Sequence, residues 1–299
     1  MLTSPSVPGI AAGLVAAAIW GGALAVTRFG VSGDTPLSPA DIAMLRFAGP
    51  ALLLLPVLRR AWPRLRQVPL HLLALMLLGG GAPFVIVAGS GLGIAGAAEA
   101  GALLPGAMPI CVAVFSRLLG ERISTAGLVG LAIIGASVAA VILPSLSVGA
   151  DNRGEGYALL LAAAALAAGY TIALRRSGLG PWEAASFVSA GSMLALGPPY
   201  AFVMEPGLIA ASWDVIALQI GFQGMASGVL APVAFATAVQ RLGASKAAAF
   251  GSLTPGAACI GGFALLGEVP TAAAAMSIVA TGLGIALMAC PRCMMRLRA

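Results

Sequence analysis

The sequence predicts an all-α integral membrane protein: ten transmembrane helices arranged as two inverted-topology five-helix repeats, residues 1–150 and 151–299. Three observations carry this expectation. Charged residues make up 9% of the chain and hydrophobic residues 60%, with a mean hydropathy of +1.02, whereas soluble domains carry about 25% charged residues. Apolar stretches of the roughly 20 residues that cross a bilayer as a helix follow one another along the whole chain. The word Leu-Leu-Gly-Glu occurs at 118–121 and again at 265–268, a shift of 147 residues.

Helix is expected over strand because alanine and leucine dominate in continuous runs, and open sheet edges are not viable in lipid. Span 1, 9–31, is uncharged up to Arg28. No basic residue precedes its apolar run, so it reads as a retained helix and not as a cleaved leader. Span 2, 39–58, is apolar except for Asp41 at its edge and Arg46 inside. Span 3, 68–90, follows Arg59, Arg60, Arg64 and Arg66 and begins beside His71, the single histidine, which reads as interfacial, with pH sensing as the alternative. Span 4, 96–118, holds Glu99 and the helix-kinking prolines Pro105 and Pro109. Span 5, 124–144, carries the small-residue stripe Gly127, Gly130, Gly135, of the kind that lets membrane helices approach closely. Span 6, 155–174, ends at Arg175-Arg176, and span 7, 182–203, opens on Trp182-Glu183. Span 8, 214–240, contains Gln219, Gln223, Ser227, the pair Gly224 and Gly228, and Pro232. Span 9, 244–266, contains Lys246 and Pro255, and span 10 covers 271–290. Trp62, Trp182 and Trp213 stand near span ends, as interfacial anchors do.

The basic residues set the expected orientation. With a cytoplasmic N-terminus, the inner connections hold Arg59, Arg60, Arg64, Arg66, Arg117, Arg122, Arg175, Arg176, Arg241, Lys246, Arg292, Arg296 and Arg298, while the outer side keeps Arg28 and Arg153. The positive-inside rule then puts both termini in the cytoplasm. This asymmetry accounts for the net charge of +6 without a nucleic-acid partner. Cys290-Pro-Arg-Cys293 has metal-ligand spacing, but a closed zinc site takes four ligands, so a reduced tail is expected, with no metal and no cofactor. Gly91-Leu-Gly93-Ile-Ala-Gly96 spells a dinucleotide fingerprint but joins two membrane spans, where the strand that this chemistry needs is absent.

Shifting the chain by 147 also lays Gly22 on Gly169, Arg28 on Arg175 and Glu99 on Lys246. A shift of 142 lays Ser38-Pro39-Ala40-Asp41 on Gly180-Pro181-Trp182-Glu183 and Pro56 on Pro198. Five spans per unit is an odd number, so the second unit enters the membrane from the opposite side. Inverted repeats of this kind mark secondary transporters. With Trp20-Gly21-Gly22 in span 1, Leu45-Arg46-Phe47 in span 2, Pro109 in span 4, and Leu118 to Glu121 before the small-residue span 5, the chain resembles the drug/metabolite transporter superfamily, of the kind built from two EamA-type units. The second unit keeps Pro255 and Leu265 to Glu268 but has Val188 in the place of Arg46 and Ala167 in the place of Trp20. The resemblance implies a ten-helix exporter of small metabolites in the bacterial cytoplasmic (inner) membrane, with amino-acid exporters prominent among its kind.

Ionisable groups inside a membrane are costly and are retained for a pathway, a partner or access to the interface. Arg46 and Glu99 both lie within roughly 10 Å of the outer interface at 1.5 Å per residue. One reading pairs them at an outer gate; the other has Arg46 snorkelling and Glu99 favouring its helix N-terminus. The matching inner positions are Arg175, Glu183 and Lys246, read as an inner gate or as ordinary positive-inside charge. Gln219, Gln223 and Ser227, spaced i, i+4, i+8, share a helix face that either hydrogen-bonds substrate or joins helices. Trp20, Thr27, Phe84 and Tyr170 complete the expected pathway lining, with packing as the alternative for the aromatics. Paired breaks at Pro105 and Pro109 in span 4 and at Pro255 in span 9, with Pro232 in span 8, fit helices that line a pathway. In the repeated word, Gly120 and Gly267 are expected to be left-handed helix stops, Ser124, Thr125 and Thr271 to cap the next helices, and Glu121 and Glu268 to favour those helix starts from opposite sides of the membrane.

The expected function is secondary export of small metabolites, amino acids or related zwitterions, by alternating access through a cavity between the repeats. A passive channel for small solutes and a polytopic membrane enzyme are the alternatives. The expected partners are the small-molecule substrate and the bilayer; one chain suffices, with an oligomer left open. No phosphate-binding loop is present, so ATP is not the direct energy source.

Overall fold

The computed structural model of the chain describes residues 7–32, 37–121, 123, 125–147, 153–204, 206–242, 247 and 250–288. The described residues are mostly helical, with no strand among them. A helix stands at every expected span: α1 (Val7–Val31), α2 (Pro39–Leu53) continuing into α3 (Leu55–Leu65), α4 (Leu70–Gly80) into α5 (Ala82–Ile94), α6 (Ala97–Leu118) and α7 (Thr125–Ser147) in the first unit. The second unit has α8 (Arg153–Ser177), α9 (Pro181–Phe202), α10 (Trp213–Gln219), a π-helix (Ile220–Leu230), α11 (Ala231–Leu242), α12 (Thr254–Leu266) and α13 (Ala272–Met288). Five helical stretches are long and apolar enough to cross a membrane, or six if α2 and α3 count as one bent span; the described parts of α7, α12 and α13 are shorter. Length and composition therefore support about half of the ten crossings that the sequence predicts.

Span 2 departs most from expectation. It does not run to residue 58: α2 ends at Leu53, and α3 turns away by 83°. Pro56, which has no N–H to donate, sits in the first turn of α3, and Leu54 closes α2 by bonding back to the Pro50 carbonyl at 2.8 Å. Once turned, Arg59, Arg60, Trp62 and Arg66 are exposed while Ala61 and Leu65 pack inward. Span 3 is also interrupted. At Gly79-Gly80-Gly81-Ala82-Pro83 the chain passes through extended Gly81, and Ser192 of α9 accepts the Ala82 N–H at 3.0 Å. The breaks expected in spans 4 and 9 are not a matched pair. Helix α6 runs as one element with Pro105 and Pro109 inside it, whereas Pro255 starts α12 after a 3₁₀ turn at Phe250–Leu253. Pro232 acts upstream: its ring excludes the normal bond to Gly228, and the eleven residues before α11 are wound as a π-helix.

The two units exchange their first helices. Helix α1 packs on α12 and along the π-helix and α11; its repeat mate α8 packs on α6 and along α4 and α5. Helices α2 with α9, α6 with α12, and α7 with α13 complete a reciprocal set, each contact mirrored under the repeat. Small residues permit these approaches. A Cβ on Gly21 would lie 2.5 Å from the Thr254 carbonyl, and one on Gly284 would lie 2.9 Å from the Gly130 carbonyl.

Helix α6, 22 residues and about 33 Å long, measures the molecule from end to end. Beside its first residue lie Arg28, Glu99, Arg153 and Glu268. At and past its last turn lie Arg117, Glu121, Arg175, Glu183 and the arginines of α3, joined by Arg241 against the start of α1. The two glutamates of the repeated word thus stand at opposite ends, and both preceding glycines are left-handed, Gly120 with φ 83 and Gly267 with φ 66. Thr271 caps α13 through the Ala274 N–H at 3.2 Å; Ser124 lies outside the described residues.

The α7–α13 contact gives a direct check. Gly284→Val should lower stability by about 1–3 kcal/mol, because its side chain meets Ile134 and the Gly130 carbonyl, whereas Gly135→Ala, with nothing within 4 Å, should be near neutral. Thermal melting in detergent reads the difference.

Candidate functional site

Thr27, Gln219, Gln223 and Ser227, all buried, gather where α1, α2 and the π-helix meet. Gln223 is fully buried and joins all three elements: its amide nitrogen donates to the Ala23 carbonyl at 2.9 Å and to Thr27 Oγ1 at 2.7 Å, and its Oε1 accepts from Arg46 Nη1 at 2.8 Å. One turn earlier, Gln219 donates to the Val26 carbonyl at 2.7 Å. The close approach of α2 comes from Gly224 and Gly228, as the sequence suggests; a Cβ on Gly224 would lie 3.1 Å from the Leu45 carbonyl. Two buried atoms in this seam, Gln219 Oε1 and Ser227 Oγ, have no hydrogen-bond partner among the described residues. An unpaired buried acceptor or hydroxyl costs about 1–3 kcal/mol, so both are sites where an incoming polar group gains a bond.

The expected Arg46–Glu99 pair does not form. The depth estimate puts both near one end of the bundle, but they sit on different sides of it: Arg46 reaches across to Gln223, while Glu99 takes Arg153 from the start of α8 at 3.3 Å. Among the described residues no carboxylate lies within 4 Å of Arg46. The inner set is likewise not one cluster. Arg175 pairs with Glu121 at 2.5 Å, Glu183 with Arg64 at 2.7 Å, and Lys246 lies outside the described residues. Arg28, which the sequence reading left aside as an outer basic residue, binds Glu268 at 2.8 Å and the carbonyls of Leu92 and Gly93. Glu268 also accepts the Ala97 N–H at 2.7 Å. Arg28–Glu268 and Arg175–Glu121 are repeat mates, one at each end of α6. Each ties the last turn of one unit's first helix to the carboxylate of the other unit's repeated word, so these glutamates hold the units together. The Arg175 hydrogen bond holds the Glu121 carboxyl below its ordinary pKa. That pair therefore persists at neutral pH and is lost as pH falls through the depressed value.

The EamA-like transporter family profile matches residues 7–143 and again 154–290. The chain belongs to the EamA-like transporter family. A crystal structure is similar over 95% of this chain and 96% of its own, with TM-score 0.57 and 22% identity, which supports the fold. No curated protein matches the chain. The two EamA copies meet at the α1/π-helix seam and at its mate, where α8 packs on α4 and α5. The mates differ in chemistry: where Gln223 donates to Ala23, the second seam has Tyr170, at the repeat position of Ala23, laid over Gly79 and Gly80. Phe84 and Tyr170 both pack, partly buried, against one apolar core cluster, and Trp20 tilts on Phe235 at 5.4 Å. The expected pathway residues thus separate into a polar group (Thr27, Gln219, Gln223, Ser227), which Arg46 joins, and an aromatic group.

Two residues gain importance that the sequence does not signal. Asp41 is fully buried, accepts from Ser38 N and Oγ at 2.7 Å each and from the Tyr200 hydroxyl, and so fixes the start of α2 to the end of α9. Ser192 bridges the break in span 3. The short Gly79-Gly-Gly-Ala-Pro83 run was the available signal for that break. A cavity of about 420 Å³ (Leu45, Leu208, Ile209, Ala211, Trp213, Ile216) borders the seam beside Leu45, and one of about 440 Å³ (Val57, Arg60, Ala61, Trp182, Glu183) lies apart from it. Cys290 and Cys293 lie outside the described residues.

Gln223→Leu leaves the Arg46 guanidinium without its acceptor and should cost about 1–3 kcal/mol, while Gln219→Leu removes one bond together with an unpaired Oε1 and should cost under about 1 kcal/mol. Denaturant-monitored unfolding in detergent checks the order, and equal losses would contradict it.

Proposed function

We propose that this EamA-family chain is a secondary transporter that exports small zwitterionic metabolites, amino acids foremost, by alternating access between its two copies. Ten helices cross the membrane in two inverted units, and the end rich in arginine faces the cytoplasm of a bacterial inner membrane, as the positive-inside rule favours. One observation carries the substrate reading: Arg46 holds a guanidinium inside the bundle with no carboxylate in reach among the described residues, beside two buried polar atoms that lack partners. A substrate carboxylate at Arg46 forms the charge-assisted bond that Gln223 supplies only in neutral form, and its ammonium finds acceptors at Gln219 Oε1 and Ser227 Oγ. The seam lies on irregular helix. Discontinuous helices are where transporters build sites near the midplane, since backbone groups freed from the regular ladder are tolerated only in protein or beside water.

Access alternates when the units rock about the α6–α12 contact. The reciprocal ion pairs stand at the two ends of that contact, so breaking Arg28–Glu268 opens one side while Arg175–Glu121 holds the other. A fixed pore has no such exclusivity. Saturable counterflow in proteoliposomes, tested across the amino acids, supports a carrier; linear, non-saturating flux would support the channel reading instead. Within that assay Arg46→Gln should raise KM for a carboxylated substrate about tenfold or more, from the loss of a charged hydrogen bond worth about 1.5–3 kcal/mol. The KM of the matching methyl ester should stay within about twofold.

A further inference from the structure

The turned helix α3 has no place in the transport seam. It leaves α2 at 83° and crosses the arginine-rich end of the bundle, so it runs along the membrane surface. Its three arginines, and Arg66 just past its end, are not equivalent. Arg64 is consumed: it binds both Glu183 oxygens, at 2.7 and 2.9 Å, and the Gly178 carbonyl at 3.0 Å. Arg59, Arg60 and Arg66 are exposed, with no carboxylate within 4 Å among the described residues. Between α3 and the start of α9 lies the cavity of about 440 Å³ lined by Val57, Arg60, Ala61, Trp182 and Glu183. Because Arg64 neutralises Glu183, the field in this groove is that of Arg60. Its walls are otherwise apolar. Leu52 and Leu53, 76% and 56% exposed at the bend, continue that apolar surface toward the acyl region, and Trp62, 53% exposed, stands at the level where aromatic side chains meet headgroups.

We propose that this groove binds the headgroup of an anionic phospholipid. The phosphodiester sits at Arg60, Arg59 and Arg66 on the outward face of the helix add to the positive field, and the glycerol and upper acyl carbons lie on Val57, Ala61 and Trp182. A free anion satisfies the arginine but leaves the apolar walls uncovered; a zwitterionic lipid covers the walls but carries an ammonium toward three guanidinium groups. The site does not depend on what the protein transports, so it stands or falls apart from the substrate reading.

Brominated lipids test it through quenching of tryptophan emission in full-length protein reconstituted in mixed vesicles. Trp62→Phe and Trp182→Phe locate the quenched ring. Brominated phosphatidylglycerol should bind at least about fivefold more tightly than brominated phosphatidylcholine, with quenching concentrated on Trp182. Arg60→Gln should remove about fivefold of that preference, the order expected for one basic residue at an anionic surface. Arg117→Gln, which removes an exposed charge at the same end outside the groove, should leave it intact. Equal binding of the two lipids, an equal loss in the Arg117 variant, or competition by inorganic phosphate at constant ionic strength would each overturn the proposal.

Discussion

Lipid removes the force that assembles soluble bundles. Apolar side chains gain nothing by leaving hydrocarbon for a protein interior, so helices must associate through close packing and internal hydrogen bonds. In this chain the constraint falls first on α1, which leaves its own unit to lie on α12. Gly21 permits that approach, since any side chain there would meet the Thr254 carbonyl and Ala257. The rest depends on the crossing. With α1 on α12, the carbonyls of Ala23 and Val26 face the π-helix and take the two glutamines, and Arg28 arrives beside Glu268. The repeat mate α8 makes the corresponding crossing onto α6, which brings Arg175 to Glu121.

The same exchange creates two equivalent seams, and only one of them became polar. Gln223 and Thr27 occupy one, and the Tyr170 ring over Gly79 and Gly80 occupies the other. Arg46 repeats the asymmetry, since Val188 holds its place in the second unit. A carrier whose halves were chemically identical would present the same site to both sides. In the proposed mechanism the architecture supplies the two-sided motion and one seam supplies the recognition.

Much of this was legible in the residues. Gaps between charges show where helices fall, because a bilayer tolerates few charges along a span, but not where a helix bends or starts, as at Leu54 and Thr254. The left-handed stops at Gly120 and Gly267 and the contact through Gly224 and Gly228 follow from local steric rules. The bend at Leu54 was hidden because the apolar run continues to Leu58; Pro56 and the arginines that follow it were the signal. The winding of the π-helix was hidden because Gln219, Gln223 and Ser227 already share a face at α-helical spacing. Arg46 was misassigned for a different reason. Depth along a span can be counted from sequence, but direction around the bundle cannot, so Glu99 at a similar depth looked like a partner while Gln223, 177 residues away, was the real one.

The central claim is that the two copies of Leu-Leu-Gly-Glu face opposite sides of the membrane, each binding the other unit's first helix. Thiol accessibility in intact cells tests it most directly. In a chain whose four cysteines are replaced by serine, single cysteines at Leu119 and Val269, 44% and 76% exposed beside the two glutamates, are challenged with a membrane-impermeant maleimide. The reagent should label position 269 from outside and reach position 119 only after the membrane is opened. Labelling of both positions from the same side would contradict it.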